Sequence, residues 1–168
     1  GGKGEPVAKL FDFGMAEMGP DKVRPDFFLK ASRDARRRGT ALIYTAYRKM
    51  TVPDYRRAIA GCYATGMQFI VPWDQYAGVG TPRVFSRPKD LADLYGFVRA
   101  NARLLDGSED AAAVGYRLSD DRRKDRDILA IRGAERVAAF VRARPGAAAA
   151  PVVVHLVAWG TPKPFTVG

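Results

Sequence analysis

The chain has 168 residues and a formal net charge of +10, with 47% hydrophobic and 27% charged residues. These values are typical of a folded globular protein with its own core, and they exclude an intrinsically disordered or collagen-like chain. The sequence shows no apolar run of the ~20 residues that a membrane-spanning helix requires, and no basic-then-apolar signal segment at its start.

The chain contains one cysteine, Cys62, and one histidine, His155, and this limits its chemistry. A single thiol cannot form an internal disulfide, a zinc finger or a redox pair. A Ser-His-Asp triad would have to use His155, which lies in a continuous apolar stretch and is better explained as a core residue. We therefore expect no metal site and no cofactor.

The strong positive charge makes a nucleic-acid partner worth considering. The basic residues are densest at residues 36–38 and 122–124. The first group ends a predicted helix, where it suits the negative end of the helix dipole. The second is interleaved with aspartates and is nearly neutral. Nucleic-acid binding is therefore an alternative hypothesis and not the leading one.

Strands and helices alternate through the first two thirds of the chain. Apolar runs predict strands at residues 7–13, 41–47 and 67–71, which begin about 34 and 27 residues apart. A helix is predicted between Pro25 and Gly39, and a second one begins at the N-cap Thr51 and ends at Gly66. This spacing is typical of βα units with a parallel sheet.

The pattern changes in the last third of the chain. An apolar face over residues 88–107 predicts a third long helix, and residues 108–127 have the polar, irregular composition of a connector. Apolar runs at 137–142 and 152–157 predict an antiparallel hairpin. We accordingly divide the chain into βα units at 1–107, a connector at 108–127, and the start of a β-rich module at 128–168.

Three βα units leave two open sheet edges with apolar strands, which invite pairing with further strands. A single hairpin cannot cover both edges. Either more units precede this chain in a longer protein, or another copy supplies them by self-association. The first alternative is favoured, and it makes the three units the closing part of a (β/α)8 barrel and the chain a fragment.

Polar and aromatic residues follow each predicted strand, at the ends where βα folds carry their working residues. Carboxylates there can act as acid, base or nucleophile on a glycosidic bond, while aromatic and arginine side chains orient sugars. The candidate catalytic residues are Asp12, Glu17 and Asp74. The candidate substrate-binding residues are Tyr47, Arg48, Trp73 and Tyr76.

Each candidate also has a structural explanation. Asp12 could pair with Arg48 at the rim, and Asp74 could cap the loop that follows it. Glu17 could be a solvated loop residue. The two aromatic residues after the third strand could pack at the rim instead of binding a ligand.

Three segments carry a resemblance to known proteins. Residues 67–76 resemble the end of a barrel strand in glycoside hydrolase-like proteins, and residues 82–99 resemble the final barrel helix. Residues 152–157, with Trp159 and residues 162–165, are similar to the first hairpin of the β-sandwich that often follows such a barrel.

The resemblance implies a carbohydrate substrate, cleavage of glycosidic bonds and no cofactor. Two alternatives remain beside it. The chain could be a non-catalytic carbohydrate-binding or structural fragment, or a basic nucleic-acid-binding domain. We expect no membrane partner, and the sequence assigns no cellular compartment.

Overall fold

The computed structural model describes residues 11–71, 86–118, 128–133, 135–161 and 163–168. They form a mixed α/β protein with one parallel and two antiparallel sheets. The strands are β1 (Phe13–Met18), β2 (Ala41–Ala46), β3 (Gln68–Ile70), β4 (Glu109–Gly115), β5 (Ile131–Arg132), β6 (Val137–Ala143), β7 (Val153–Ala158) and β8 (Thr166–Val167). The helices are α1 (Pro25–Arg37), α2 (Val52–Ala64), α3 (Ala92–Ala100) and α4 (Ala102–Leu105).

The first three strands form a parallel sheet in the order β1-β2-β3. Phe13 lies opposite Ala41, and Ile43 lies opposite Gln68. The parallel pairing of the three predicted βα strands is therefore confirmed.

The first strand begins later than predicted. We expected it at residues 7–13, whereas β1 spans Phe13–Met18 and residues 11 and 12 precede it. Residues 7–10 lie outside the described residues. β1 contains Gly14 and Glu17, which disfavour strands, so its composition does not predict a strand there. Pairing with β2 supplies hydrogen bonds that offset their poor strand propensity.

Helices α1 and α2 begin and end where local sequence predicts. Pro25 stands in the first turn of α1, and Gly39 follows its end with a φ of +67°, a conformation that favours glycine. Thr51 is the N-cap of α2, and its hydroxyl accepts a hydrogen bond from the Asp54 amide at 3.3 Å.

Both of these helices contact the parallel sheet and the antiparallel sheet β4-β6-β7. Phe27 of α1 meets Tyr44 of β2 edge-to-face at 5.6 Å, and Arg33 of α1 forms an ion pair of 2.5 Å with Asp110 of β4. The Trp159 indole, beyond β7, donates a hydrogen bond to the Val23 carbonyl at 3.3 Å. One buried cluster therefore contains residues from both ends of the chain.

Residues 108–127, which the sequence assigns to a connector, include a strand that the composition did not predict. Residues Glu109–Gly115 form β4, which pairs antiparallel with β6 and carries a bulge between Asp110 and Ala112. The two acidic residues and the alanine run have low strand propensity, so only pairing with β6 reveals the strand. The predicted hairpin is confirmed, since β6 and β7 pair antiparallel.

The third long helix is broken into shorter pieces. A 3₁₀ turn, Pro88–Asp90, precedes α3, and Asn101 separates α3 from α4 with non-helical φ and ψ angles. Neither α3 nor α4 has a fully buried residue, and Phe97 is 61% exposed. The predicted apolar face thus packs only in part against the core.

The described residues give no support to barrel units or to a fragment of a barrel. Their parallel sheet has three strands and is separate from the antiparallel sheets β4-β6-β7 and β5-β8. The division of the chain at residues 107 and 127 stays a prediction. The helices of the described segments are also too short or too polar to cross a membrane.

Candidate functional site

The segments that follow β1, β2 and β3 meet at one edge of the sheet because parallel strands share a carboxyl edge. An open cleft of about 670 Å³ lies there. Its lining comes from all three connections: Pro20, Lys49, Met50, Thr51, Val52, Asp54, Arg87 and Asp90. We call it the carboxyl-edge cleft.

Asp21, Tyr47 and Arg48 form a cluster of side chains beside this cleft. Each lies within two residues, along the chain, of a residue that lines it. The Arg48 guanidinium lies 5.2 Å from the centre of the Tyr47 ring, a cation–π distance. The same guanidinium lies 3.4 Å from a carboxylate oxygen of Asp21. All three side chains remain accessible to solvent, and Tyr47 is 38% exposed.

Gly19 allows this cluster to assemble. A Cβ atom at Gly19 would lie 2.5 Å from the Tyr47 hydroxyl and 2.7 Å from a carboxylate oxygen of Asp21. Both distances are too short for real contacts, so a larger residue would require the ends of both side chains to move. Because both side chains are exposed, the absence of a Cβ atom at Gly19 favours the cluster but is not essential for it.

Glu17 lies at the same edge, on the exposed face of β1 opposite Thr45. Its carboxylate forms no ion pair within the segments that the structure describes. Its backbone carbonyl accepts a hydrogen bond from the Lys22 ammonium at 3.1 Å. Glu17 therefore offers an accessible carboxylate close in sequence to the Asp21 side of the cluster.

Asp12 lies at the opposite edge of the sheet, because β1 begins after it. Its backbone carbonyl accepts a hydrogen bond from the Ala41 amide at 3.3 Å. Five residues of extended chain, about 16 Å, separate Asp12 from Glu17. Catalytic carboxyl pairs in glycosidases are about 5–10 Å apart, so these two do not form one. The pairing of Asp12 with Arg48 does not occur either, since Arg48 pairs with Asp21.

The other candidates from the sequence follow β3. Trp73, Asp74 and Tyr76 lie outside the described residues, and their roles stay predictions.

The sequence reasoning missed Asp21, Arg87 and Asp90. Arg87 forms an ion pair of 3.0 Å with Asp90, and the hydrogen bond from Arg87 lowers the pKa of the Asp90 carboxyl. Asp21 was missed because the first strand was predicted to end five residues too early. A strand boundary at Met18 would have brought it to the carboxyl edge.

The charges of the cleft are mostly matched. Asp54 accepts hydrogen bonds from the Thr51 hydroxyl at 2.7 Å and from Arg57 at 3.2 Å. Within the described segments, no group of three or more His, Cys, Asp or Glu side chains is arranged to hold a metal ion. The cleft therefore presents paired donors and acceptors instead of a charge of one sign.

No family model matches this chain, and comparison with curated proteins and solved structures finds no similar protein. The resemblance to glycoside hydrolase-like barrel proteins is wrong. No family match carries it, and the described strands form an open three-stranded parallel sheet with separate antiparallel sheets.

Proposed function

We propose that the protein binds a saccharide at the carboxyl-edge cleft. The observation that carries this proposal is the cluster of Tyr47, Arg48 and Asp21 beside an accessible Glu17. An exposed aromatic ring packs against the apolar C–H face of a pyranose. Guanidinium and carboxylate groups form strong, charge-assisted hydrogen bonds with hydroxyls.

A neutral polyol fits these groups better than nucleic acid does. Sugar hydroxyls both donate and accept hydrogen bonds, so they can use Arg48 and Asp21 together. Phosphate binding depends on cations that are free to replace counterions. Arg48 and Arg87 are each already paired with an aspartate.

Binding without turnover is the activity that the described residues favour. Hydrolysis of a glycosidic bond by the usual mechanism needs two carboxyl groups flanking it. Of the candidates, Glu17 is near the carboxyl end of β1 but does not line the cleft, and Asp12 is at the other edge of the sheet. Asp74 as the second carboxylate stays a prediction, and Glu17 is the candidate acid or base if hydrolysis occurs.

The test is a glycan array followed by calorimetric titration with the best soluble ligand. We expect Arg48→Ala to weaken binding by about tenfold or more, since a hydrogen bond to a charged group contributes about 1.5–3 kcal/mol. Tyr47→Ala removes the ring that packs against the sugar and should weaken binding by about two- to tenfold. The matched control is Arg117→Ala. Arg117 is also exposed and lies over the preceding tyrosine, Tyr116, at 5.4 Å, but it belongs to the segment after β4.

Four results would distinguish the hypotheses. Equal affinity of Tyr47→Ala and wild type would overturn the proposed site, and no glycan binding would overturn the function. Release of new reducing ends during incubation would show turnover. Binding of nucleic acid that weakens steeply with salt would favour the nucleic-acid alternative.

A further inference from the structure

A second cavity, of about 470 Å³, lies between α1 and the strands β1 and β2. It shares no lining residue with the carboxyl-edge cleft. Small residues create it, because Gly14 and Ala16 of β1 stand opposite Leu42 and Tyr44 on the face that α1 covers. We call it the α1 cavity.

The cavity is elongated and has an apolar interior. Its lining includes residues of α1 and its flanks from Arg24 to Arg38, which corresponds to about 20 Å along a helix. Phe27, Ala31 and Leu42 contribute apolar surface. This shape suits an extended alkyl chain better than a compact polar molecule.

Tyr44 adds a polar group to this apolar interior. The side chain lines the cavity and is only 6% exposed, and its hydroxyl makes no hydrogen bond within the described part of the chain. Burial raises the pKa of the hydroxyl to about 12, so it stays protonated at neutral pH and is able to donate. A ligand oxygen in the cavity can accept a hydrogen bond from this hydroxyl.

The charged residues of the lining have an excess of positive charge. Asp26 and Asp34 each form an ion pair with an arginine close in sequence. Lys30 and Arg38 also line the cavity, and neither forms an ion pair with a described residue. They remain available to an anionic group.

We propose that the α1 cavity binds an amphipathic monocarboxylate with a medium-length alkyl chain. The alkyl chain packs against the apolar surface of Phe27, Ala31 and Leu42. The carboxylate accepts hydrogen bonds from Lys30 or Arg38, and the Tyr44 hydroxyl donates to the ligand. The volume lies within the range of about 300–1,000 Å³ that small-molecule sites have.

The ligand part of the test uses three molecules with the same chain: decanoate, decanol and decylamine. Each is titrated below its micelle concentration into the full chain, and backbone amide NMR shifts are followed. We expect saturable shifts in α1, β1 and β2 with decanoate, binding of decanol at least tenfold weaker, and no saturable binding of decylamine. Equal affinity for all three would overturn the proposal.

The protein part of the test uses variants of the lining. We expect Lys30→Gln and Arg38→Gln together to weaken decanoate binding by about tenfold or more and to leave decanol binding unchanged. Tyr44→Phe removes only the hydroxyl and should weaken decanoate binding by about two- to tenfold. The matched control is Arg103→Gln, at an exposed position of α4.

Ala31→Leu tests the site independently of the variants at charged and tyrosine positions, in case one of those does not fold. Leucine is a good helix former, and its side chain would fill the cavity. We expect a folded protein, checked by its melting curve, that no longer binds decanoate. Full decanoate affinity in this variant would place the ligand elsewhere and overturn the proposal.

Discussion

His155 on β7 has a buried Nε2 atom without a hydrogen-bond partner among the described residues. Burial lowers the pKa of the imidazole to about 4, and the positive charge of Arg142 reinforces this shift. The ring therefore stays neutral at physiological pH. The sequence predicted a core residue at this position because of its apolar neighbours, whereas the side chain is partly buried, with Nε2 buried, and belongs to neither buried cluster.

Protonation of His155 couples stability to pH. The folded-state pKa lies below the value of about 6.5 in an unfolded chain, so the unfolded state takes up the proton first. Stability is fully present above pH 6.5 and is lost as the pH falls towards 4. With an allowance for solvent around the partly buried ring, we expect a loss of about 1–2 kcal/mol between pH 7 and 5.

Urea unfolding of wild type and His155→Gln at several pH values measures this loss. Because His155 is the one histidine of the chain, a difference in slope between the two proteins belongs to it. Parallel pH profiles for the two proteins would contradict the assignment.

At the scale of elements, two helices contain a glycine in different surroundings. Gly61 lies in α2, where a Cβ atom would be 2.4 Å from the ring of Phe28. Phe28 belongs to α1 and is fully buried, so its ring cannot move aside without a change in the core. Gly96 lies in α3, and a Cβ atom there would meet nothing within 4 Å.

The same substitution should therefore have opposite effects in the two helices. We expect Gly61→Ala to destabilise the protein by about 1–3 kcal/mol through overpacking between α1 and α2. Gly96→Ala should stabilise it by about 0.5–1 kcal/mol because alanine has the higher helix propensity. Chemical denaturation of both variants provides the comparison, and stabilisation by Gly61→Ala would refute the close contact between the helices.

At the scale of the whole molecule, one face of the parallel sheet carries exposed apolar side chains among the described residues. Phe13, Met15 and Ile70 lie on it, and they are 54%, 61% and 45% exposed. Parallel sheets are normally covered on both faces, and large exposed apolar patches mark contact surfaces. The unpaired sides of β1 and β3 in the described sheet add to this.

We therefore expect the chain to self-associate through this face. Sedimentation velocity over a wide concentration range should show a growing oligomer fraction for wild type. The double variant Phe13→Ser, Met15→Ser should shift the profile to monomer. Phe97→Ser is a matched control, because Phe97 is equally exposed on α3. A monomer at every wild-type concentration would contradict the expectation.

Local chemistry in the sequence was sufficient to predict helices α1 and α2. Pro25 and Gly39 restrict φ at the two ends of α1, and the Thr51 side chain satisfies an amide at the start of α2. These effects act within a few residues, so they are visible without knowledge of the fold. The order of strands and helices then predicted the parallel sheet, whose carboxyl edge carries Glu17, Tyr47 and Arg48.

Only the tertiary structure decided the features that depend on distant partners. The position of β1 in the chain is set by its pairing with β2 and not by its own apolar run. As a result, Asp12 lies at the far edge of the sheet, and Asp21 lies close enough to Arg48 to form an ion pair. Strand β4 exists because β6 pairs with it. Hydrogen bonds between strands join residues that are far apart in sequence, so the composition of either strand alone does not reveal the pairing.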